Sequence, residues 1–243
     1  MIHEGLDPEA GAILLVDKPL TWTSFNVVGK VRSALQKLCG HRVKVGHAGT
    51  VDPLATGLLI IGTGRMTKQL PGLTEDEKEY TATIRLGQTT ASYDTETELV
   101  EHGPWEHLTE QDVRAVLTTF TGPIQQRPPN FSAKRFQGER AYNLQRWGEP
   151  VDFPHVSVSI HDLELLCIEG RDITIRVACS KGTYIRSLGH DIGQALGCGA
   201  HITALRRTRS GSFRIEDALT PSQWSEWLDA WAAGRQKPDP HDT

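Results

Sequence analysis

Apolar positions along this chain follow two periods, and the switches between them mark its elements. Residues 13–16 form an unbroken apolar run stopped by Asp17-Lys18-Pro19, which predicts a short buried strand. Phe25, Val28, Val31, Leu35 and Leu38 then recur at helical spacing behind Thr23 and Ser24, either of which can cap, and the pattern ends near Gly40. A second apolar run at 58–61 predicts another buried strand. Residues 78–86 put Tyr80, Ala82, Ile84 and Leu86 on one face, the period of a half-buried strand. Thr109 precedes a helical series of Val113, Val116, Leu117 and Phe120. Residues 156–168 and 173–179 alternate on either side of Glu169-Gly170-Arg171-Asp172, a hairpin signature. Residues 183–196 read as a helix ended by Gly197, and Pro221 opens a last helix rich in Trp. Helices and strands do not alternate strictly and hairpins are present, so the predicted class is α+β with a mixed, largely antiparallel sheet.

Residues 122–154 break the pattern. They open with Pro123 and Pro128-Pro129, then turn basic and aromatic through Phe131, Lys134, Arg135, Phe136, Arg140, Tyr142, Arg146 and Trp147, with a short helix expected around 140–147. Such a segment reads as an excursion from the core. Composition changes the picture little: 38% hydrophobic and 23% charged residues suit an ordinary globular chain. Net charge is −4, from 26 Lys plus Arg and 30 Asp plus Glu, which does not announce a nucleic-acid binder. The distribution matters more. Arg127, Lys134, Arg135, Arg140 and Arg146 face only Glu139 in sequence, and Arg206, Arg207, Arg209 and Arg214 face no acid, so one side of an acidic protein can meet a polyanion. Cys39, Cys167, Cys179 and Cys198 show no C-x-x-C pair, which argues against a disulfide scaffold or zinc ribbon and fits a reducing compartment. The N-terminal residues have an acidic start and too short an apolar run for a signal peptide or membrane span, so a cytoplasmic location is expected.

The densest chemical signal is Gly46-His47-Ala48-Gly49-Thr50-Val51-Asp52-Pro53-Leu54-Ala55-Thr56-Gly57. Three glycines, an Asp-Pro and two hydroxyls predict a tight loop that presents polar groups. It lacks the Lys-Ser/Thr ending of a phosphate-binding P-loop. An Asp before Pro is ordinarily just a turn former, and His47 with Asp52 offers two metal ligands with no third at metal-site spacing, so no metal is expected. The whole string, however, resembles the catalytic loop of the TruB family of tRNA pseudouridine synthases, with Val51 in place of Leu as a mild departure. The similarity continues in Leu14-Leu15-Val16-Asp17-Lys18-Pro19, in Lys78-Glu79-Tyr80, in Ser180-Lys181-Gly182-Thr183-Tyr184-Ile185-Arg186, and in Gly197-Cys198-Gly199-Ala200-His201 with Leu205-Arg206-Arg207. The basic excursion resembles the family's RNA-gripping thumb. Together these segments cover about residues 13–214.

The resemblance implies a pseudouridine synthase catalytic fold and isomerisation of the uridine at position 55 in the T-loop of tRNA. The base is detached, rotated and rejoined through carbon 5, without net redox change or hydrolysis, so no cofactor is implied. The family's routes include attack on the base, attack on C1′ and elimination through a glycal, and the sequence does not choose among them. Each needs a carboxylate near C1′ and C6 and a platform for a base drawn from its stack. Asp52 is implied as that carboxylate, Arg186 as its ionic partner, and Tyr80 as the aromatic lying against the uracil. Tyr184 would form a second aromatic wall, Leu205 would close the pocket, and His47 would occupy the space that the flipped nucleotides leave. Lys134 and Arg135 would grip phosphates.

Two departures stand out: Phe131 where Tyr is common in the thumb, and Lys134-Arg135 where Leu-Lys is frequent. Residues 1–12 are expected to form an N-terminal extension, 13–214 the catalytic domain with the thumb at about 122–154, and 215–243 a capping helix and mobile tail. Too few residues follow Arg214 for the C-terminal PUA domain of many bacterial members, so a short form is expected. The implied partner is the tRNA T-arm, with no membrane and no obligate protein partner, and the chain is expected to act as a monomer. A non-catalytic RNA-binding or RNA-folding protein on the same scaffold is the alternative. A third reading, the catalytic subunit of a guide-RNA particle, fits the Pro-Leu-Ala-Thr-Gly string after Asp52 less well.

Overall fold

The computed structural model describes residues 5–131, 135–136, 139–140 and 153–235. In chain order its elements are β1 (Ile13–Lys18), α1 (Ser24–Cys39), β2 (Val45–Ala48), β3 (Thr56–Thr63), α2 (Leu70–Thr74), β4 (Lys78–Leu86), β5 (Gln88–Thr90) and β6 (Leu99–Glu101). They continue with α3 (Glu110–Thr119), β7 (Gly122–Gln126), β8 (Arg135–Phe136), β9 (Glu139–Arg140), β10 (Val156–Glu169) and β11 (Asp172–Cys179). The last are α4 (Ile185–Ala195), β12 (Ala200–Ser210), β13 (Phe213–Arg214) and α5 (Pro221–Arg235). Two compact units divide the chain: residues up to Asp76 together with those from Arg207 onward, and the stretch from Glu77 to Arg206. Among the described residues no helix is long and apolar enough to cross a membrane.

In the first unit β3 is the centre. β1 and β2 both pair with it antiparallel, with Leu14 opposite Ile61, Val16 opposite Leu59 and Ala48 opposite Ile60. Residues 57–63 are all buried, which is why this strand reads as a continuous apolar run rather than an alternation. Helix α1 starts at a capping box: Thr23 Oγ accepts from the Asn26 N–H at 3.0 Å, and Asn26 Oδ1 accepts from the Thr23 N–H at 2.8 Å. It ends at Gly40, whose φ of 73° is the left-handed conformation that favours glycine. Val27, Val31 and Ala34 of α1 border the same small cavity as Trp224 and Leu228 of α5. Trp224 is fully buried, and its indole N–H donates to the Leu15 carbonyl at 2.7 Å, so β1 anchors the last helix.

In the second unit the neighbour order is β12-β4-β11-β10-β7. β4 and β11 pair antiparallel, with Ile84 opposite Ile173, Ala82 opposite Ile175 and Tyr80 opposite Val177. Helices α3 and α4 supply Val113, Leu117, Leu188 and Ile192 to a core with Ile84, Ile173, Ile175 and Val177.

The capped helix at Thr109, the strand at 78–86, the helix before Gly197 and the final helix lie where the sequence places them. Several features differ. Gly122–Gln126, expected to open the excursion from the core, is β7, paired antiparallel with β10 in the main sheet, and α2, β5, β6 and β13 have no counterpart among the expected elements. The hairpin turn is tighter than the four residues expected: β10 runs to Glu169 and β11 starts at Asp172, leaving Gly170-Arg171, with Gly170 at φ 59°. Gly46, His47 and Ala48, expected in a loop, belong to β2. The eleven-residue β12 has no counterpart among the expected strands, because its pattern lacks a clean alternation. Of the helix expected around 140–147, Arg140 lies in β9, paired through Arg135 with β8, and residues 141–147 lie outside the described residues.

Candidate active site

In the first unit the loop between β2 and β3 carries Asp52, and three sets of bonds fix its shape. Ser24 Oγ, at the first turn of α1, donates to the Val51 carbonyl at 3.1 Å and accepts from the Val51 N–H at 2.9 Å. The Ala55 N–H donates to the Asp52 carbonyl at 3.0 Å, closing a turn with Pro53 at its second position. The Thr21 N–H donates to the Pro53 carbonyl at 2.8 Å. Beneath the loop lies Arg207 of β12, only 1% exposed. Its Nε donates to the Leu58 carbonyl at 2.7 Å and its Nη2 to the Gly49 carbonyl at 3.2 Å. The loop is therefore set before any substrate arrives, as a positioned carboxylate requires.

Lys18 is buried at the end of β1, with Nζ donating to the carbonyls of Trp22 at 2.7 Å and Pro19 at 3.0 Å. Burial lowers its pKa to about 8, while the nearby Asp52 charge pulls in the other direction. The unfolded chain holds this proton up to the ordinary lysine range and the folded chain releases it near pH 8, so stability should rise with pH between those values. Lys18→Met should remove that rise. Urea unfolding at pH 7.5 and 9.5 tests it, and the wild type should gain about 2 kcal/mol more than the variant over that interval.

His47 sits on β2, half-buried, with Nδ1 buried and the Gly49 backbone beside the ring. Burial lowers its pKa, so the ring is neutral near pH 7. A neutral imidazole beside the loop can stack on a base or bond to one.

In the second unit Tyr80 of β4 and Leu205 of β12 pack, partly buried, against the same core. Tyr184 stands at the N-terminus of α4, clamped by the fully buried Gln126. Its N–H donates to Gln126 Oε1 at 2.7 Å and its carbonyl accepts from Gln126 Nε2 at 3.0 Å. Arg186, in the first turn of the same helix, is 5% exposed. Its Nη1 donates to the carbonyls of Phe131 at 3.0 Å and Ser92 at 3.2 Å, and lies 3.5 Å from Asp94 Oδ2. Asp94 is itself buried, and its Oδ1 accepts from Ser92 Oγ at 2.6 Å and the Glu96 N–H at 2.9 Å. A buried guanidinium needs such a counter-charge, and Asp94 supplies one that sequence reasoning missed. Between Ser92 and Asp94, Tyr93 has a φ of 64° and stacks on His190 with centroids 4.0 Å apart. Nothing in the Ser92-Tyr93-Asp94 string separates it from an ordinary polar turn, and Gln126 and Ser24 likewise look unremarkable in sequence.

Asp52 and His47 thus belong to the first unit, and Tyr80, Tyr184, Arg186 and Leu205 to the second. Lys134 lies outside the described residues, and Arg135 is described only as part of β8.

Comparison with known proteins bears on what this arrangement serves. A family model described as the N-terminal domain of TruB family pseudouridylate synthases matches residues 36–185. The chain belongs to the TruB family. A second model, the tRNA pseudouridylate synthase B C-terminal domain, matches residues 186–237, so the two matches meet within α4, between Ile185 and Arg186. Among TruB relatives, the tRNA pseudouridine synthase B of Parabacteroides distasonis is 50% identical over 225 residues, covering 92% of this chain and 96% of that protein. That of Phocaeicola vulgatus is 50% identical over 220 residues, covering 90% and 94%. Among solved structures, a Cbf5-Nop10-Gar1 complex contains a chain with 32% identity and a TM-score of 0.71. The match covers 94% of this chain and 57% of that one. This TruB-family chain is an enzyme of the pseudouridylate synthase class.

Proposed function

We propose that the chain isomerises uridine 55 in the T-loop of tRNA to pseudouridine, with Asp52 as the catalytic carboxylate. In that reaction the N1–C1′ bond breaks, a C5–C1′ bond forms, the C5 proton leaves and N1 takes up a proton. Electrons and atoms balance without a cofactor. The observation that supports the reading best is the build of the Asp52 loop, fixed by Ser24 from one side and Arg207 from the other, with the Lys18 ammonium close by. In this reading Arg186, which also meets Asp94, pairs with Asp52. Tyr80 lies against the uracil, Tyr184 and Leu205 line the pocket, and His47 fills the space that the flipped nucleotides leave. Lys134 and Arg135 contact T-arm phosphates. The enzyme acts in the cytoplasm as a monomer without an obligate protein partner.

The test uses purified protein, EDTA and a T-arm hairpin carrying tritium at the uracil C5 positions. One equivalent of tritium should be released per hairpin, and a hairpin with cytidine at position 55 should release none. Tight binding without release would favour an RNA-binding or RNA-folding protein on the same scaffold. Release from the cytidine-55 hairpin would overturn the assigned position.

A further inference from the structure

The outer face of α1 carries charge of one sign. From Lys18 to Val51 the chain contains Lys18, Lys30, Arg32, Lys37, Arg42 and Lys44 and no Asp or Glu, although the whole chain has more acids than bases. A helix face that merely needs hydration ordinarily mixes signs, since oppositely charged neighbours one turn apart stabilise it. Helix α3 does this, with Arg114 Nε 2.8 Å from Glu110 Oε1. Among the described residues no acid pairs with Lys30, Arg32 or Lys37. At about 100° per residue, Phe25 and Arg32 lie along one edge of the exposed half of α1 and Lys30 and Lys37 along the other, where Lys30 also borders the cavity beside Trp224, while Val27, Val31 and Leu35 fill the buried half.

Phe25 lies in the first turn of the same helix. It is 68% exposed, the most exposed of the large apolar side chains among the described residues, and the Arg32 guanidinium carbon lies 5.8 Å from its ring centre. Arg32 is held in turn by its Nη2, which donates to the Val45 carbonyl at 3.3 Å. Phe25 directly follows Ser24, the residue that anchors the Asp52 loop, and α1 leads about 24 Å away from that loop. An aromatic ring left in water beside one cation, on a helix whose other exposed edge carries two more, offers the two contacts that bind single-stranded nucleic acid: stacking for a base, cations for the backbone.

We infer that the outer face of α1 is a docking surface for RNA, with Phe25 stacking on an unpaired base and Lys30, Arg32 and Lys37 meeting phosphates. The inference rests on the reading that the substrate is RNA. A lipid surface would need an apolar helical stripe to insert, and the apolar stripe of α1 is occupied by the core.

The experiment titrates an unmodified tRNA transcript at several salt concentrations against wild type and two double variants, Lys30→Gln with Lys37→Gln and Lys30→Glu with Lys37→Glu. Both variants should bind at least about tenfold more weakly, and the slope of log affinity against log salt should flatten by roughly 1.5 for the two lost contacts. KM in the tritium assay should rise by a similar factor while kcat stays within about twofold. Phe25→Ala should weaken binding about tenfold, and Phe25→Trp should restore it. Affinity and salt slope unchanged within twofold in both double variants, with unchanged thermal midpoints, would overturn the proposal. So would displacement of the transcript by phosphatidylserine vesicles at concentrations where the RNA is half-bound. Wild-type protein that binds the transcript but releases no tritium would instead sink the catalytic reading and leave this test of α1 intact.

Discussion

Asp52→Asn should abolish turnover, with a fall of roughly 10⁴-fold or more, equivalent to about 5 kcal/mol of lost transition-state stabilisation. The substitution is nearly isosteric. The backbone bonds that set the loop come from Val51, Asp52, Pro53 and Ala55 main-chain atoms and survive the change. RNA affinity should therefore stay within about tenfold, or roughly 1.4 kcal/mol. Single-turnover tritium release gives the first quantity and filter binding the second. Mass spectrometry must exclude deamidation back to Asp. Substantial turnover in the verified Asp52→Asn variant would remove Asp52 from the chemistry. Loss of binding as large as the loss of turnover would make it a binding residue.

Gly57→Ala should be the most damaging small substitution in the first unit. Gly57 has a φ of 103°, and a Cβ there would lie 2.3 Å from the Arg207 carbonyl oxygen and 2.7 Å from its nitrogen. Those atoms belong to the backbone of β12, where no rotamer change can make room. Separating the two strands would also strain the bonds from Arg207 to Leu58 and Gly49 that hold the Asp52 loop. Left-handed backbone and overpacking together predict a loss of about 3–5 kcal/mol. Thermal and urea unfolding read the loss directly. Gly40→Ala is the control, since its φ is also positive but no atom lies within 4 Å of its Cβ. A Gly57→Ala protein no less stable than Gly40→Ala would mean that the strands part easily and that the loop does not depend on their close approach.

Much of the fold is legible locally. A capping hydroxyl at Thr23 or Ser24, the helical stripe of α1 and the glycine at its end give start and stop signals, because capping bonds and left-handed backbone involve only near neighbours. The alternation over 78–86 and the hairpin near Gly170 are local in the same sense. The twelve-residue string around Asp52 predicts a tight polar loop by its residue types, and the chemical site is implied by its similarity to one family, which extends along most of the chain.

Other features exist only once distant segments meet. β12 reads as a polar stretch because Arg206, Arg207 and Arg209 interrupt it, yet Arg207 is buried. Its guanidinium finds carbonyl partners at Leu58 and Gly49, 149 and 158 residues away in sequence. Asp94 and Gln126 meet Arg186 and Tyr184 through bonds formed across 92 and 58 residues respectively. What the sequence determined by itself was therefore what period, capping and residue type set locally: the four longer helices, the central strands, the polar loop around Asp52 and the family. Which buried polar groups hold that string in shape was decided by the tertiary structure. Their satisfaction depends on partners supplied by chain closure, and no local pattern records them.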